Sequence, residues 1–336
     1  MTAVAPWQAR AYAQAIAALD AGRLTHALLV CGPEGLGKRE LAARLTRRLL
    51  CRAPVGGDAC GRCKSCDLLA AGTHPDRYEE TLEPNDKGDL KSELSVGQIR
   101  RLGEKLNLTP QIGAVQVALL HPAELMNRSA FNALLKTLEE PPPNRYLILV
   151  SDQPYRLPAT IRSRCQRLEL KLPSHAEARA WLQANAGRVA AVDEALAAAQ
   201  GNPGLARSYL DGDALALRRA VAADLAALAA GRETALATAQ AWVADRTSLR
   251  LRFAAGLVRD HLAFRLGAGA GPDALDSAGI ASRLDLHRGA TWFDQANRAQ
   301  AWLGTPLRQD LQLVELLRQW QAACAKMPAN RSLAGG

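Results

Sequence analysis

Two groups of residues in this 336-residue chain have the types and spacing that chemistry requires. Cys51, Cys60, Cys63 and Cys66 form a C-x8-C-x2-C-x2-C pattern. Each x2 spacing lets two thiolates reach one tetrahedral ion, and Gly56, Gly57 and Gly61 supply tight turns between them. Arg48, Arg52 and Lys64 stand nearby to offset the negative charge of a four-thiolate centre. Four sulfurs fill the coordination shell, so the pattern predicts a closed, structural Zn2+ site over residues 51–66. Free or redox-active thiols are the other reading of the same residues. Cys31, Cys165 and Cys324 are scattered and read as small buried hydrophobes.

The second group is Gly32-Pro33-Glu34-Gly35-Leu36-Gly37-Lys38, between the apolar run Leu28 to Cys31 and a helical pattern from Arg39 to Leu50. Strand, glycine-rich turn and helix are what a phosphate-cradling loop requires, because free N–H groups at the helix start face the anion. Gly32, Gly35, Gly37 and Lys38 are therefore the candidate nucleotide-binding residues. The motif is broken one position later. A Ser or Thr hydroxyl should hold Mg2+ there, and Arg39 cannot ligate a cation. The companion strand Val115 to Leu120 should end in acidic residues for the magnesium shell. It ends in His121 and Pro122, with Glu124 two positions beyond; the plain reading of His121 is a capping or surface residue. Any nucleotide held through Lys38 would bind weakly, and hydrolysis by this chain is not expected.

The elements that must position these residues fall into an α/β part followed by an all-α part. Strands are predicted near 28–31, 115–120, 146–150 and 167–170. Ser174 with Glu177 forms a capping box before a helix, and Gly201-Asn202-Pro203-Gly204 breaks one. From Asp211 onward the pattern is helical. Ala214, Leu217, Val221, Leu225 and Leu228 recur every three or four residues, as do Phe253, Leu257, Val258 and Leu262, and Leu311, Val314, Leu317 and Trp320. Such stripes read as core. Gly267 to Pro272 reads as a flexible linker, and Arg283, His287, Arg288 and Arg298 as solvated charges.

A hydrophobic fraction of 48% with 22% charged residues is that of a globular chain. No apolar run is long enough to span a membrane. Arg10, Asp20 and Arg23 give the first thirty residues an amphipathic pattern rather than that of a secretory leader. A cytoplasmic location is expected. The net charge of +9 permits nucleic acid, acidic lipid or an acidic protein as partner and selects none of them.

Several further stretches, in order, resemble the delta prime clamp-loader family of bacterial DNA polymerase III, within the AAA+ superfamily. His26-Ala27-Leu28-Leu29 leads into the loop, and the four-cysteine insert follows the first loop-borne helix. Ala71 to Asp76, Val96-Gly97-Gln98-Ile99-Arg100, the block Asn132 to Pro142 and Thr160 to Cys165 complete the match over residues 1–210. The resemblance implies an AAA+ α/β domain over 1–170 and a small helical lid over 171–210. It implies a helical collar over 211–328 that joins a ring of five, and a tail at 329–336. It implies motor and delta subunits, the sliding clamp and primer-template DNA as partners, with no membrane. Ser151-Asp152 falls where the family keeps its sensor-one residue. Gly204 stands where motor subunits keep a sensor arginine, and Arg207 comes three residues too late.

In this family the arginine of Ser163-Arg164-Cys165 reaches across an interface toward a neighbour's γ-phosphate. The resemblance therefore makes Arg164 an arginine finger acting in trans, with Arg162 the weaker candidate. A solvated basic run of Arg156, Arg162, Arg164, Arg167 and Lys171 is the alternative. The function implied is a non-hydrolysing clamp-loader subunit. Two other readings stand beside it: an active motor using Lys38 and Glu124, and a zinc-dependent DNA-binding protein with a vestigial nucleotide fold. Against the last, residues 51–66 contain no aromatic residue and no base-reading helix pattern.

Overall fold

The computed structural model describes residues 4–186, 191–268, 284–302 and 308–325. Two compact units emerge, one formed by Met1–Trp181 with Asn202–Leu205, the other by Leu182–Gly201 with Ala206–Gly336.

The first unit runs α1 (Pro6–Asp20), β1 (Ala27–Cys31), α2 (Lys38–Leu50), α3 (Lys64–Ala70), β2 (Arg77–Glu80), α4 (Val96–Leu106), β3 (Gln116–Leu120), α5 (Arg128–Glu139), β4 (Arg145–Ser151), α6 (Ala159–Arg162) and β5 (Gln166–Glu169). Helix α7 (His175–Asn185) carries the chain toward the second unit. The strands form one sheet in the order β2-β3-β4-β1-β5, every neighbouring pair parallel. Continuous apolar runs make this possible, since a parallel sheet is covered on both faces. Alternation along β1 then divides the core. Leu28 and Val30 pack with α1 and α2, while Ala27, Leu29 and Cys31 pack with α4 and α5.

Four strands lie within a residue or two of their predicted positions. The fifth, β2, was not predicted, because Arg77-Tyr78-Glu79-Glu80 is a half-exposed edge strand with a single apolar residue. Parallel pairing aligns the strand ends that carry the site, with Cys31 opposite Ser151 and Leu120 opposite Leu149. Ligand sites of open α/β sheets form at such carboxyl ends.

Helix ends in this unit are set by identifiable groups. Ser95 and Gln98 form a reciprocal capping box on α4, and the Asn127 side chain accepts from Ala130 N at the start of α5. Helix α5 stops before Pro141 to Pro143, where further turns are barred. Its Leu138 carbonyl lies 3.1 Å from His26 Nε2 just before β1. Arg145 donates to the carbonyls of Leu106, Leu108 and Pro143, closing the exit of α4. At α7, Glu177 N donates to Ser174 Oγ (3.3 Å) as the capping pattern requires, while the Glu177 carboxylate takes both terminal nitrogens of Arg10.

The second unit holds α8 (Val192–Ala198), most of α9 (Pro203–Asp211), α10 (Ala214–Ala229), α11 (Ala235–Ala244), α12 (Thr247–Arg265), α13 (Leu286–Trp302) and α14 (Gln309–Cys324). The α10 stripe is buried along its whole length. Leu311 departs from the expected α14 stripe: it lies in the first turn and is exposed, whereas Val314, Leu317 and Trp320 are buried. Three buried tryptophans hold the bundle, and each indole N–H has a partner as burial demands. Trp242 donates to Asp224 Oδ2, Trp292 to Leu316 O and Trp320 to Leu225 O, all at 2.8–2.9 Å. His287, Arg288 and Arg298 are exposed, as expected. Residues 269–272 of the linker, Arg283 and the tail at 329–336 lie outside the described residues. Among the described residues no helix is long and apolar enough to cross a membrane.

Candidate functional site: a self-engaged phosphate loop, a four-cysteine cluster and an exposed arginine

Gly32, Gly35, Gly37 and Lys38 lie together in the turn between β1 and α2. Gly37 is the residue before the helix, at φ +78°, a left-handed conformation that favours glycine. A Cβ there would lie 1.7 Å from Gln8 Nε2. Helix α1 is pressed onto the loop at that point: Trp7 Nε1 donates to Leu36 O (3.0 Å), and Gln8 Nε2 to Gly37 O (3.0 Å). On another side Asn202 Nδ2 donates to Glu34 O (2.6 Å), while Asn202 Oδ1 accepts from Gly204 N and Leu205 N. Gly204 then lies so near that a Cβ on it would stand 1.7 Å from Gly35 O. A side chain at position 204 is therefore barred by backbone. Arg207 pairs with Asp211 on its own helix, α9.

Lys38 is 4% exposed at the first position of α2. Its ammonium donates to Pro33 O and lies 2.5 Å from Asp152 Oδ1, just beyond the end of β4. The cation that would meet a phosphate thus already has a carboxylate partner. Asp152 is held in turn, its backbone N–H donating to Glu124 Oε1 (3.0 Å). Glu124 is buried and its Oε2 has no hydrogen-bond partner. It sits beside Asp152, two positions beyond the His121-Pro122 pair that follows β3. His121 is not the surface or capping residue of the plain reading. It is buried, with Nε2 2.7 Å from Glu79 Oε1 on β2, the strand that sequence did not reveal. Arg39 is exposed.

The four cysteines converge as their spacing predicts. All four sulfurs lie within 4.8 Å of one another, with Cys51–Cys63 and Cys60–Cys66 at 4.0 Å and Cys63–Cys66 at 3.6 Å. A Zn–S bond of ~2.3 Å gives a tetrahedral edge of about 3.8 Å, so the cluster fits a four-thiolate zinc shell. Cys60 N donates to Cys51 Sγ (3.2 Å). Burial pushes the Cys63 thiol up, yet the Cys66 and Arg52 backbone N–H groups and the neighbouring sulfurs outweigh it, leaving Cys63 lowered to about 6. Cys66 is pushed up to about 12 by burial and by Cys63 beside it. Keeping all four sulfurs ionised at these separations would take a cation among them.

Sequence spacing did not show how the module is fastened. Tyr12 donates to Gly57 O, Arg44 pairs with both oxygens of Asp58 and lies over the Tyr12 ring, and Arg48 reaches Asp20. Behind the cluster Ser65 Oγ donates to Leu50 O (2.7 Å) and lies 2.8 Å from His74 Nε2. His74 Nδ1 accepts from Asp76 N (3.1 Å), which assigns the Nε2–H tautomer. Burial pushes the His74 pKa down, with Arg77 adding to the shift and Asp76 opposing it. Asp76 is fully buried and accepts from Gln111 N and Ile112 N. The stretch Ala71 to Asp76 is thus a joint between the cysteine module and the sheet.

Arg164 follows α6, apart from the loop. It is exposed, with one terminal nitrogen donating to Thr160 O (3.0 Å) and the other 2.8 Å from Glu139 Oε1 at the end of α5. Arg162 is also exposed, while Cys165 is buried and its thiol pushed up to about 11 by burial. Glu139, Asp152, Trp7, Gln8 and Asn202 make contacts that sequence reasoning did not assign to them. Their partners lie 25 to 168 positions away, so no local pattern could pair them.

A parallel sheet in the order β2-β3-β4-β1-β5, with a glycine-rich turn at the carboxyl end of β1 and helical segments after it, is a phosphate-loop class of α/β fold. The family described as DNA polymerase III, delta subunit, matches residues 7–174. The chain is 43% identical to DNA polymerase III subunit delta' of Pseudomonas aeruginosa over 66% of its length and 65% of that protein. It is 41% identical to the Escherichia coli (strain K12) subunit delta' over 62% of its length and 61% of that protein. With the Yersinia pestis subunit delta' it shares 36% identity over 79% of its length and 78% of that protein. The chain belongs to the DNA polymerase III delta' family. Its matches span less than two thirds of the Pseudomonas and Escherichia proteins.

Proposed function

We infer that the chain is a non-hydrolysing clamp-loader subunit that assembles with ATPase subunits of the replicative polymerase. In that assembly it supplies Arg164 in trans to a neighbour's nucleotide and helps place a sliding clamp on primed DNA. The observation that carries this reading is a contrast within one unit. Lys38 is buried against Asp152 under a loop covered by Trp7, Gln8 and Asn202, while Arg164 is exposed on the surface, paired with Glu139. The first arrangement leaves no free ammonium for a phosphate and, with Arg39, no hydroxyl for its magnesium. The second offers a fork that stays charged and suits phosphate oxygens as charge develops in phosphoryl transfer.

Cys51, Cys60, Cys63 and Cys66 would hold a structural Zn2+, whose bonds would fasten the 51–66 insert to α2 and α3 and supply no reactive position. Residues 171–210 as a lid and 211–328 as a collar joining a ring of five complete the reading, with a cytoplasmic location. The test is reconstitution with motor subunits. The isolated chain should show no ATP hydrolysis, and Arg164→Ala should sharply lower turnover at one site of the assembly. Hydrolysis by the chain alone, lost on Lys38→Ala, would instead establish a motor. Unchanged turnover in the Arg164→Ala assembly removes the finger assignment.

A further inference from the structure

We propose that Glu139 is a positioning residue for Arg164, holding the guanidinium in one orientation before a neighbour's nucleotide arrives. The inference rests on the trans-acting role given to Arg164 above. Glu139 is the last residue of α5, where the helix dipole disfavours a carboxylate. A cation there offsets that penalty; Lys136 lies in the same last turn, and Arg164 pairs directly with the carboxylate, 2.8 Å away. The opposite nitrogen of the guanidinium donates to Thr160 O in α6, at 3.0 Å. One terminal nitrogen is thus fixed by a carboxylate on α5 and the other by a carbonyl on α6. A guanidinium has five N–H donors, so three remain for a phosphate.

The platform beneath this pair is firm. Leu138, next to Glu139, is 3% exposed, and its carbonyl contacts His26 at the entry to β1. Ile161 and Cys165, on either side of the finger segment, are buried. An arginine at the surface otherwise has four side-chain torsions free, and ordering such a chain costs conformational entropy. The carboxylate keeps the orientation in place between encounters without a strong bond, because an exposed ion pair is weak. The block that ends in Leu138-Glu139-Glu140-Pro141 and the Ser163-Arg164-Cys165 segment, far apart in sequence, act as one unit.

The experiment uses the reconstituted complex and reads kcat and KM for ATP at the site facing Arg164. Glu139→Ala should lower kcat roughly fivefold with KM little changed, the effect expected when about 1 kcal/mol of side-chain ordering is lost at the transition state. Glu139→Gln keeps an oxygen acceptor for Arg164 and should restore most of the rate. The Glu139→Ala/Arg164→Ala pair should be no slower than Arg164→Ala alone. A purely structural role would instead lower the melting temperature or raise KM, and Gln would not rescue it. Turnover unchanged or faster in Glu139→Ala, while Arg164→Ala is slow, overturns the positioning role and leaves the finger intact. An Arg164→Ala complex with full turnover removes both.

Discussion

Replacing Asp152 by Ala isolates the contact that occupies the phosphate loop. The substitution deletes the carboxylate 2.5 Å from Lys38 Nζ and keeps the backbone N–H that donates to Glu124. Lys38 then retains one acceptor, Pro33 O, and no counter-charge. Its side chain is 3% exposed and that of Asp152 42%, which puts the pair between two regimes. An exposed pair is worth at most about 1 kcal/mol, and breaking a buried one costs ~3–5 kcal/mol. Solvation of the aspartate argues for the middle of that range, about 2 kcal/mol. For a unit of this size each kcal/mol moves the melting temperature by roughly 2–4 °C, so a fall of about 4–8 °C is expected. Lys38→Met removes the charge and keeps the apolar stem. The double variant Lys38→Met/Asp152→Ala should therefore be more stable than Asp152→Ala alone, with a coupling of at least ~1 kcal/mol. Added tripolyphosphate should raise the melting temperature of Asp152→Ala and leave the parent unmoved. Parental melting in Asp152→Ala with additive single effects, or equal stabilisation of the parent by tripolyphosphate, would refute the self-engaged loop.

Three further outcomes are expected. Elemental analysis of protein purified without chelator should find one zinc per chain. Its removal should lower the melting temperature by roughly 10 °C, the equivalent of about 4 kcal/mol at a thousandfold excess over Kd, and expose residues 52–62 to protease; Cys63→Ser should behave as the stripped protein does. Gly204→Ala should cost ~1–3 kcal/mol, because its Cβ meets the Gly35 carbonyl and not a movable side chain, whereas Gly103→Ala in α4 meets only Thr137 Oγ1 at 3.5 Å and should be neutral or stabilising in urea titrations. His74 should appear as the Nε2–H tautomer in long-range 15N NMR, with its midpoint below 6.5. With the folded pKa lowered, the unfolded chain takes up the proton first. The contribution of His74 is then complete above pH 6.5 and lost as pH falls toward the folded value, and a midpoint above 6.5 contradicts the buried network.

What sequence made legible was whatever depends on neighbours along the chain. The C-x2-C spacings bring four sulfurs within 4.8 Å, and the glycine turn after Leu28 to Cys31 forms between β1 and α2. Strand β2 escaped because edge exposure removes the apolar run that marks a buried strand. The environment of His121 escaped with it, since the Glu79 that binds it belongs to that strand. Leu311 was misread because helical period assigns a face without saying how far along the helix the neighbouring layer extends. Asp152 and Asn202 could be seen only as letters in a segment, for their partners are set by the sheet order and not by spacing.

The same distinction bears on what a glycine-rich loop can prove. Gly37 is required by its left-handed backbone and by the Gln8 side chain pressed against it. Gly204 is required by the carbonyl of Gly35. Neither requirement involves a phosphate, so these glycines would be demanded by packing in a protein that never bound a nucleotide. A bound Mg2+ nucleotide would itself require a hydroxyl, two acids and an arginine at four positions around the loop. They hold Arg39, His121, Pro122 and Gly204. Glycines of a phosphate loop therefore report the turn, and the residues around them report the chemistry. In this chain the turn is intact while Asp152 takes the ammonium that a phosphate would need.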